Sequence, residues 1–434
     1  MPLAPRGFVL TRLLRPFSKV RPEEAATVGL MTLTSFLLLS AYYLLKTVRE
    51  PLILLQGGPE VKLYARAGQA LLMVGVVHVY GELARRFGRG KLLAVVFLFF
   101  ISNLALFAML ARANAPIGLP FFLWVGVFSY TAVAQFWALA ADIYTDEQGK
   151  RLFPIIGAGS SIGAVVGGLF ARALVPFGPH VLMGAAVLIL LCVVALVLWI
   201  ERRSHSPVLD LAKHVDEPLA KVSPWQLLAH DRYLLFIAGL VVLLNWVNSS
   251  GEYLLDRTLV VAAKQTAHPQ EYIGAFKAGY FAWINAIGLG LQLFVVSRVL
   301  KHVGVRNALF VMPVFALGAY GVAAFLPVIA VMRLVKIGEN SLQYSLQDTT
   351  RHALFLVANR TEKFVGKTAI DTIAVRIGAI MSTLLVFVGT RLGWTTATFA
   401  AIDVGLAVLW LGAAVLIGRE HRTRELTDAP QSAA

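Results

Sequence analysis

Lys46, Arg49 and Glu50 are set in a run that is apolar on both sides, with residues 36–39 before them and 52–55 after. An ionisable side chain near the centre of a bilayer costs at least about 2.5 to 3.5 kcal/mol on insertion scales, so such groups persist mainly where a cavity or pathway uses them. Tyr42, Lys46 and Arg49 follow at i, i+4 and i+7 on one helical face, and Pro51 then marks a kink. Snorkelling from a helix that ends at Lys46 would accommodate the same charges. A second stripe, Asn245, Asn248, Glu252 and Asp256, recurs at i, i+3, i+7 and i+11 and is followed by Arg257. The longest stripe is Arg333, Lys336, Asn340, Gln343 and Gln347, with Glu339, Tyr344 and Asp348 beside it. Lys367 and Asp371 are i,i+4 neighbours able to pair, Arg376 lies deeper, and Asp142 closes an apolar run just beyond Trp137.

The chemistry these residues could do is binding. An excess of Lys and Arg on such stripes points to an anion, because a dehydrated phosphate needs charge-assisted donors. Glu252, Asp142 and Asp371 could hold the cations while the site is empty and release them on loading, which biases two states only if the contacts differ between them. Taken singly, each charge could equally belong to a structural salt bridge. In matching positions of both halves they are expected to line a shared central path. Bond-breaking chemistry has no support: there is no nucleophile elbow, Walker loop or His-rich metal spacing, and the nine His are scattered. Cys192 is the one cysteine and sits in an apolar block, which leaves neither a disulfide nor a multi-cysteine metal site within one chain. The expectation is a protein that is not an enzyme and holds no cofactor or metal.

The elements that must position these side chains are membrane-spanning helices. Of 434 residues 58% are hydrophobic and only 15% charged, the mean hydropathy is +0.72, and the apolar residues fall in blocks such as 92–110 and 181–200, near the roughly 20 residues a crossing helix needs. Spans are predicted at 26–55, 62–84, 91–112, 118–143, 153–176, 179–201, 233–257, 272–297, 304–325, 327–348, 366–390 and 394–418. The run at 25–45 follows basic residues, yet it is too long for a signal peptide and lacks a small-residue cleavage site, so it reads as the first span. The net charge of +15 does not indicate nucleic acid, because Lys and Arg gather in every second loop. They crowd the start (Arg6, Arg12, Arg15, Lys19, Arg21) and then the alternate loops, about two dozen against about half a dozen elsewhere. Both termini are therefore expected in the cytoplasm, with the chain in a bacterial inner membrane and surrounded by lipid.

The longer polar stretch 202–232 divides the chain into six-helix bundles at 1–201 and 233–434. GELARRFGRGK at 81–91 and SRVLKHVGVRN at 297–307 each follow the second span of their half, and Gly88 and Gly304 lie 216 residues apart, close to half the chain. The first copy resembles the loop signature of the major facilitator superfamily, with Arg85 where that signature carries an Asp. Together with the repeat it implies an all-α membrane fold of about 12 transmembrane helices in two pseudo-symmetric bundles. Gly159, Gly163 and Gly167 recur every four residues beside Gly157, Ser160, Ser161 and Gly168, a face that lets helix backbones approach closely.

Several segments resemble the ATP/ADP translocase family of intracellular bacteria and plastids. They are YSLQDTTRHALF with VGKTAIDTIAVRIG, within residues 343–378, YLLKTVREPL at 43–52, and FWALAADIYTDEQGKRLFPIIGAG at 136–159. The resemblance implies substrate contacts at Arg49, Asp142, Glu252 and Lys367, and sets Gln343 where the family carries a tenth-span Lys, a lost charge for which Lys46 and Lys336 could compensate. The expectation is an antiporter for a nucleotide-like, phosphorylated anion, resembling that family and acting as a monomer, in which Lys46, Arg49, Lys336 and Lys367 clamp phosphates and Tyr43, Tyr344 or Trp137 stacks on the base. A proton-coupled carrier of another organic solute, with Glu252 or Asp371 titrating, stays open, as does a membrane scaffold without flux.

Overall fold

A computed structural model describes residues 20–21, 24–86, 89–204, 231–355, 358, 362 and 366–428. Among them the chain forms twelve helical rods. They are α1 (Ala25–Gln56), α2 (Gly58–Arg86), α3 (Arg89–Arg112), α4 (Gly118–Ile143), α5 (Asp146–Leu174) and α6 (Pro179–Ser204), then α7 (Arg232–Ala263) and α8, which starts as Pro269–Leu291 and runs on to His302. The last four are α9 (Val311–Phe325), α10 (Ile329–Leu342, continued to Leu354), α11 (Lys367–Ala369, continued to Arg391) and α12 (Thr396–Asp428). Ten of the described helices are long and apolar enough to cross a membrane, and the chain is an integral membrane protein. The α10 rod is not among the ten, since Arg333, Lys336 and Glu339 interrupt its apolar run.

Each predicted span falls on one of these rods, most within a few residues of its limits, and α4 has the predicted limits. The largest shift is at α12, which runs past the expected 418 to Asp428, while α5 begins ahead of the expected 153 at Asp146 and α7 runs past 257 to Ala263. Arg6, Arg12, Arg15, Lys19, Gly88 and residues 205–230 of the polar stretch between the halves lie outside the described residues. Gly304 takes a φ of +81°, a left-handed conformation that a side chain would strain, and there the chain turns out of α8.

The described residues divide into two compact units, one within Met1–Gln56, Leu71–His214 and His268–Ala286, the other within Gly57–Ala70, Val215–Ala267 and Ile287–Ala434. The opening turns of α2 and of α8 thus belong to the unit built mainly from the other half of the sequence. In the first unit α1 packs along the glycine face of α5. A Cβ on Gly159 or Gly167 would come within 2.7 Å of Thr32 or 2.6 Å of Ser40, and one on Gly163 closer still to Phe36. That absence of side chains lets Ser35 Oγ donate to Ile156 O at 2.9 Å and Ser40 Oγ to Gly163 O at 3.0 Å. Buried Phe100, Phe121 and Phe128 surround Trp124, whose ring stacks on Phe128 at 5.5 Å between centroids.

The second unit is less regular. Three of its rods contain a π-turn, Gln292–Val296 in α8, Gln343–Gln347 in α10 and Ile370–Ala374 in α11. Such turns insert a residue into a helix and are frequent at functional positions. Its α7 packs against α10, α11 and α12, and Ser250 on α7 donates to the fully buried Asp403 on α12 at 2.5 Å.

Each unit pins the start of its first helix with an acid and an arginine. Glu24, just before α1, takes Arg151 Nη2 at 2.9 Å and Gln148 Nε2 at 3.2 Å. Burial alone would raise its carboxyl pKa, but the hydrogen bonds from Arg151, the Arg21 amide and Gln148 outweigh that and hold it below its ordinary value. Asp231 caps α7 by accepting from the Leu234 amide at 3.1 Å, and it accepts Arg424 Nη2 on both oxygens at 2.7 Å. There too burial pushes the carboxyl up, and Arg424 with the Leu234 amide wins and lowers it.

Candidate functional site

In the first unit the last turns of α1 carry the charges that sequence singles out. The Lys46 ammonium, half-buried, lies 4.2 Å from the ring centre of Phe281, 5.0 Å from that of Tyr43 and 5.8 Å from that of Tyr42. An ammonium over aromatic faces is attracted by their quadrupoles. The Tyr43 hydroxyl donates to Asn285 Oδ1 at 3.0 Å, which fixes the ring that faces the lysine. One turn on, the Arg49 guanidinium packs 4.8 Å from the ring centre of Phe122, and its Nε lies 3.2 Å from Glu50 Oε1. The second Glu50 oxygen is 3.6 Å from Lys277 Nζ, and both side chains are almost fully buried.

Asp142 does not join this group. Arg49 meets α4 at Phe122 near its start, whereas Asp142 closes that helix, about 30 Å further along at 1.5 Å per residue. Trp137 packs edge-on against Phe136 and Phe153.

In the second unit the α7 stripe is engaged along most of its length. Asn245 turns back to its own helix, donating to Val241 O at 2.8 Å. Glu252 has Lys62 at 3.6 Å and Arg66 at 3.8 Å, and Asp256 has Lys62 at 2.6 Å. Between these, Asn248 anchors a web on α10. Its Nδ2 lies 2.8 Å from both Asn340 Oδ1 and Gln343 Oε1 and 3.2 Å from Glu339 Oε1, three acceptors for two hydrogens. Its carbonyl accepts from Lys336 Nζ at 3.0 Å.

Lys336, expected to clamp phosphate, is instead the core of that web. It is wholly buried and donates to Glu339 Oε2 at 2.7 Å, an oxygen that also accepts from the Tyr320 hydroxyl at 2.5 Å. The neighbouring Tyr344 is exposed. The expected pairing of Lys367 with Asp371 is also replaced, since Asp371 meets Arg351 at 3.3 Å and Arg351 meets Asp348 at 3.5 Å. The π-turn at Ile370–Ala374 explains the change, because wider turns no longer stack residues i and i+4. Lys367 is half-buried.

Within the first unit Lys46 and Arg49 stand on the last turns of α1; within the second, Glu252 has its two cations, Lys336 and Gln343 both meet Asn248, and Asp371 meets Arg351. Sequence reading passed over Lys62, Arg66 and Lys277, which sit near helix starts where a basic residue looks like an interfacial anchor. It also passed over Phe281, Asn285, Tyr320 and Asp403. The repeat offered one signal, since Arg66 and Lys277 are each the ninth residue of the second helix of their half.

Residues 67–354 match the family model described as Major Facilitator Superfamily, and residues 318–421 the one described as TLC ATP/ADP transporter. The ADP,ATP carrier protein 1 of Chlamydia trachomatis is 22% identical over 329 residues, covering 66% of this chain and 61% of that protein. The ADP,ATP carrier protein 2, chloroplastic, of Arabidopsis thaliana is 24% identical over 340 residues, covering 68% of this chain and 54% of that protein. The chain therefore spans less than two thirds of the length of these curated relatives. Among solved structures, the nucleoside transporter NupG superposes with a TM-score of 0.65 at 10% identity, over 92% of this chain and 98% of that one. The POT family transporter PepTSo does so at 0.64 and 12% identity, over 92% and 98%. Likeness at such identity speaks for the fold.

Proposed function

The chain belongs to the Major Facilitator Superfamily, and from that premise we propose that it exchanges nucleotides, ATP against ADP, across a bacterial inner membrane by alternating access, with both termini in the cytoplasm. The observation that carries this reading is Lys46. Its half-buried ammonium rests on three aromatic rings one turn before Arg49, so that charge for a phosphate and ring faces for a base occur within a single turn of α1. The match of residues 318–421 to the TLC ATP/ADP transporter model, and the ADP,ATP carrier names of the relatives, support a nucleotide over other organic anions. In this reading Lys46 and Arg49 are the principal phosphate ligands, Lys367 adds a further cation, and exposed Tyr344 adds a ring. The functional halves are 1–201 and 233–434, joined by 202–232, in a monomer. Exchange follows if a basic site without its anion reorients slowly.

Proteoliposomes loaded with unlabelled ADP and offered labelled ATP test it. Uptake should require internal ADP, and equal uptake into loaded and empty vesicles would refute exchange. Uptake driven by a pH gradient and indifferent to internal nucleotide would replace the nucleotide reading with a proton-coupled carrier.

A further inference from the structure

The second copy of the repeated turn, SRVLKHVGVRN at 297–307, contains Arg298, Lys301 and Arg306 and no acid, and nucleotide exchange as proposed above makes no use of it. All three cations are exposed. Arg298 donates from Nη1 to the carbonyl of Phe294, one turn back on α8, and the Phe294 ring is itself exposed. Past Gly304 the chain turns, and Arg306 lies across the end of α12, where a Cβ on Gly418 would come within 3.1 Å of its Cγ and 3.3 Å of its Nε. Arg422 follows Gly418 by four residues on the same helical face, Arg419 is adjacent, and both are exposed. Among the described residues these cations make no ion pair, whereas nearby Arg424 is held by Asp231 and Glu362. Glu420, half-buried, is the one acid within 297–307 and 415–424. Leu293 and Phe294 stand exposed just before Arg298, and Val415 and Leu416 just before Arg419. In a membrane protein, exposed apolar side chains that give way to exposed cations mark the level of the lipid headgroups.

We infer that the ends of α8 and α12, with the turn between α8 and α9, form a binding site for an anionic phospholipid, its phosphate held by Arg306 and Arg422 and its acyl chains against the exposed apolar residues. Basic clusters between membrane helices take such headgroups, and a guanidinium fork matches the oxygens of a phosphate. The bias of Lys and Arg to one side of a membrane asks only for charge in a loop. It does not ask that Arg306 be laid against a glycine of another helix. With its stem placed there, the arginine loses less freedom when a headgroup arrives. The site lies within the second unit, and it stands whether or not the transported solute is a nucleotide.

The test is native mass spectrometry of the full chain, purified in detergent and titrated with phosphatidylglycerol or with phosphatidylcholine of the same acyl chains. Phosphatidylglycerol should be retained in preference. Arg306→Gln and Arg422→Gln should each weaken its binding about fivefold. Arg391→Gln, which removes an exposed cation from the last turn of α11 at the opposite end of the unit, should leave it unchanged. Equal retention of phosphatidylcholine, unaltered binding in the Arg306→Gln, Arg422→Gln double variant, or an Arg391→Gln effect as large as that of Arg306→Gln would overturn the site. So would inorganic phosphate that strips the lipid from the parent where chloride of equal ionic strength does not, since the patch would then belong to a soluble anion.

Discussion

Lys46 in the first unit and Lys336 in the second have opposite surroundings. Lys46 is half-buried against Phe281, Tyr43 and Tyr42, and Lys336 is wholly buried between Glu339 and the Asn248 carbonyl. Rings hold a cation through their quadrupoles, whereas a buried carboxylate neutralises it. In the proposed function the first lysine meets the anion, while the second holds helices together. The same contrast runs through the helices that carry them. α1 lies on the smooth glycine face of α5, while α10 passes through a π-turn directly after its lysine web.

The largest effect that could break this contrast is on stability. Lys336→Met leaves Glu339 buried without its cation and should lower unfolding stability by about 3 to 5 kcal/mol, read as a loss of melting temperature in detergent. Adding Glu339→Gln should restore much of it. A Lys336→Met protein that melts like the parent but no longer transports would move Lys336 to the substrate path. Next in size are the close helix contacts on which each lysine's position depends. Gly163→Ala between α5 and α1, and Gly378→Ala, whose Cβ would meet Val242 O at 2.5 Å on α7, should each cost about 1 to 3 kcal/mol. If only Gly163→Ala also impairs nucleotide binding, the first unit is the one that depends on a rigid platform.

Lys46→Met should change stability by less than about 1 kcal/mol yet weaken ATP binding or exchange at least about tenfold, near 1.4 kcal/mol. Titration calorimetry on purified protein, with ADP and a sugar phosphate for comparison, reads this directly. A Lys46→Met protein with unaltered affinity would end the contrast. The smallest effect should be common to both units. Because Glu24 and Asp231 have carboxyl pKa values held below the ordinary ones, their contribution is complete above that ordinary range and is lost as pH falls through the lowered values. Melting temperature should therefore decline below about pH 4, and Glu24→Gln or Asp231→Asn should each lower it at neutral pH and flatten the decline.

Much of the scaffold was readable because it depends on local composition. Apolar blocks gave α4 its limits, and the four-residue glycine spacing gave the α1 contact of α5. The charged groups were harder, since a side chain's partner is set by packing between distant segments. Glu252 and Arg49 were recognisable as unusual, but Lys62, 194 residues from Asp256, was not recognisable as the partner. Lys336 shows the opposite error: its acid, Glu339, stood three residues away, and the charge still looked available. The three π-turns leave no composition signal, and one of them redirected Asp371 from Lys367 to Arg351.

The allotment of the opening turns of α2 to the unit of the other half has a consequence for biosynthesis. Lys62 enters the bilayer long before Asp256 has been translated, so this ion pair forms only after the second half has followed. Glu50 likewise waits for Lys277. Neither half can complete its packing when made alone, and a chain cut within 205–230 should yield a working protein only when both pieces are expressed in the same cell.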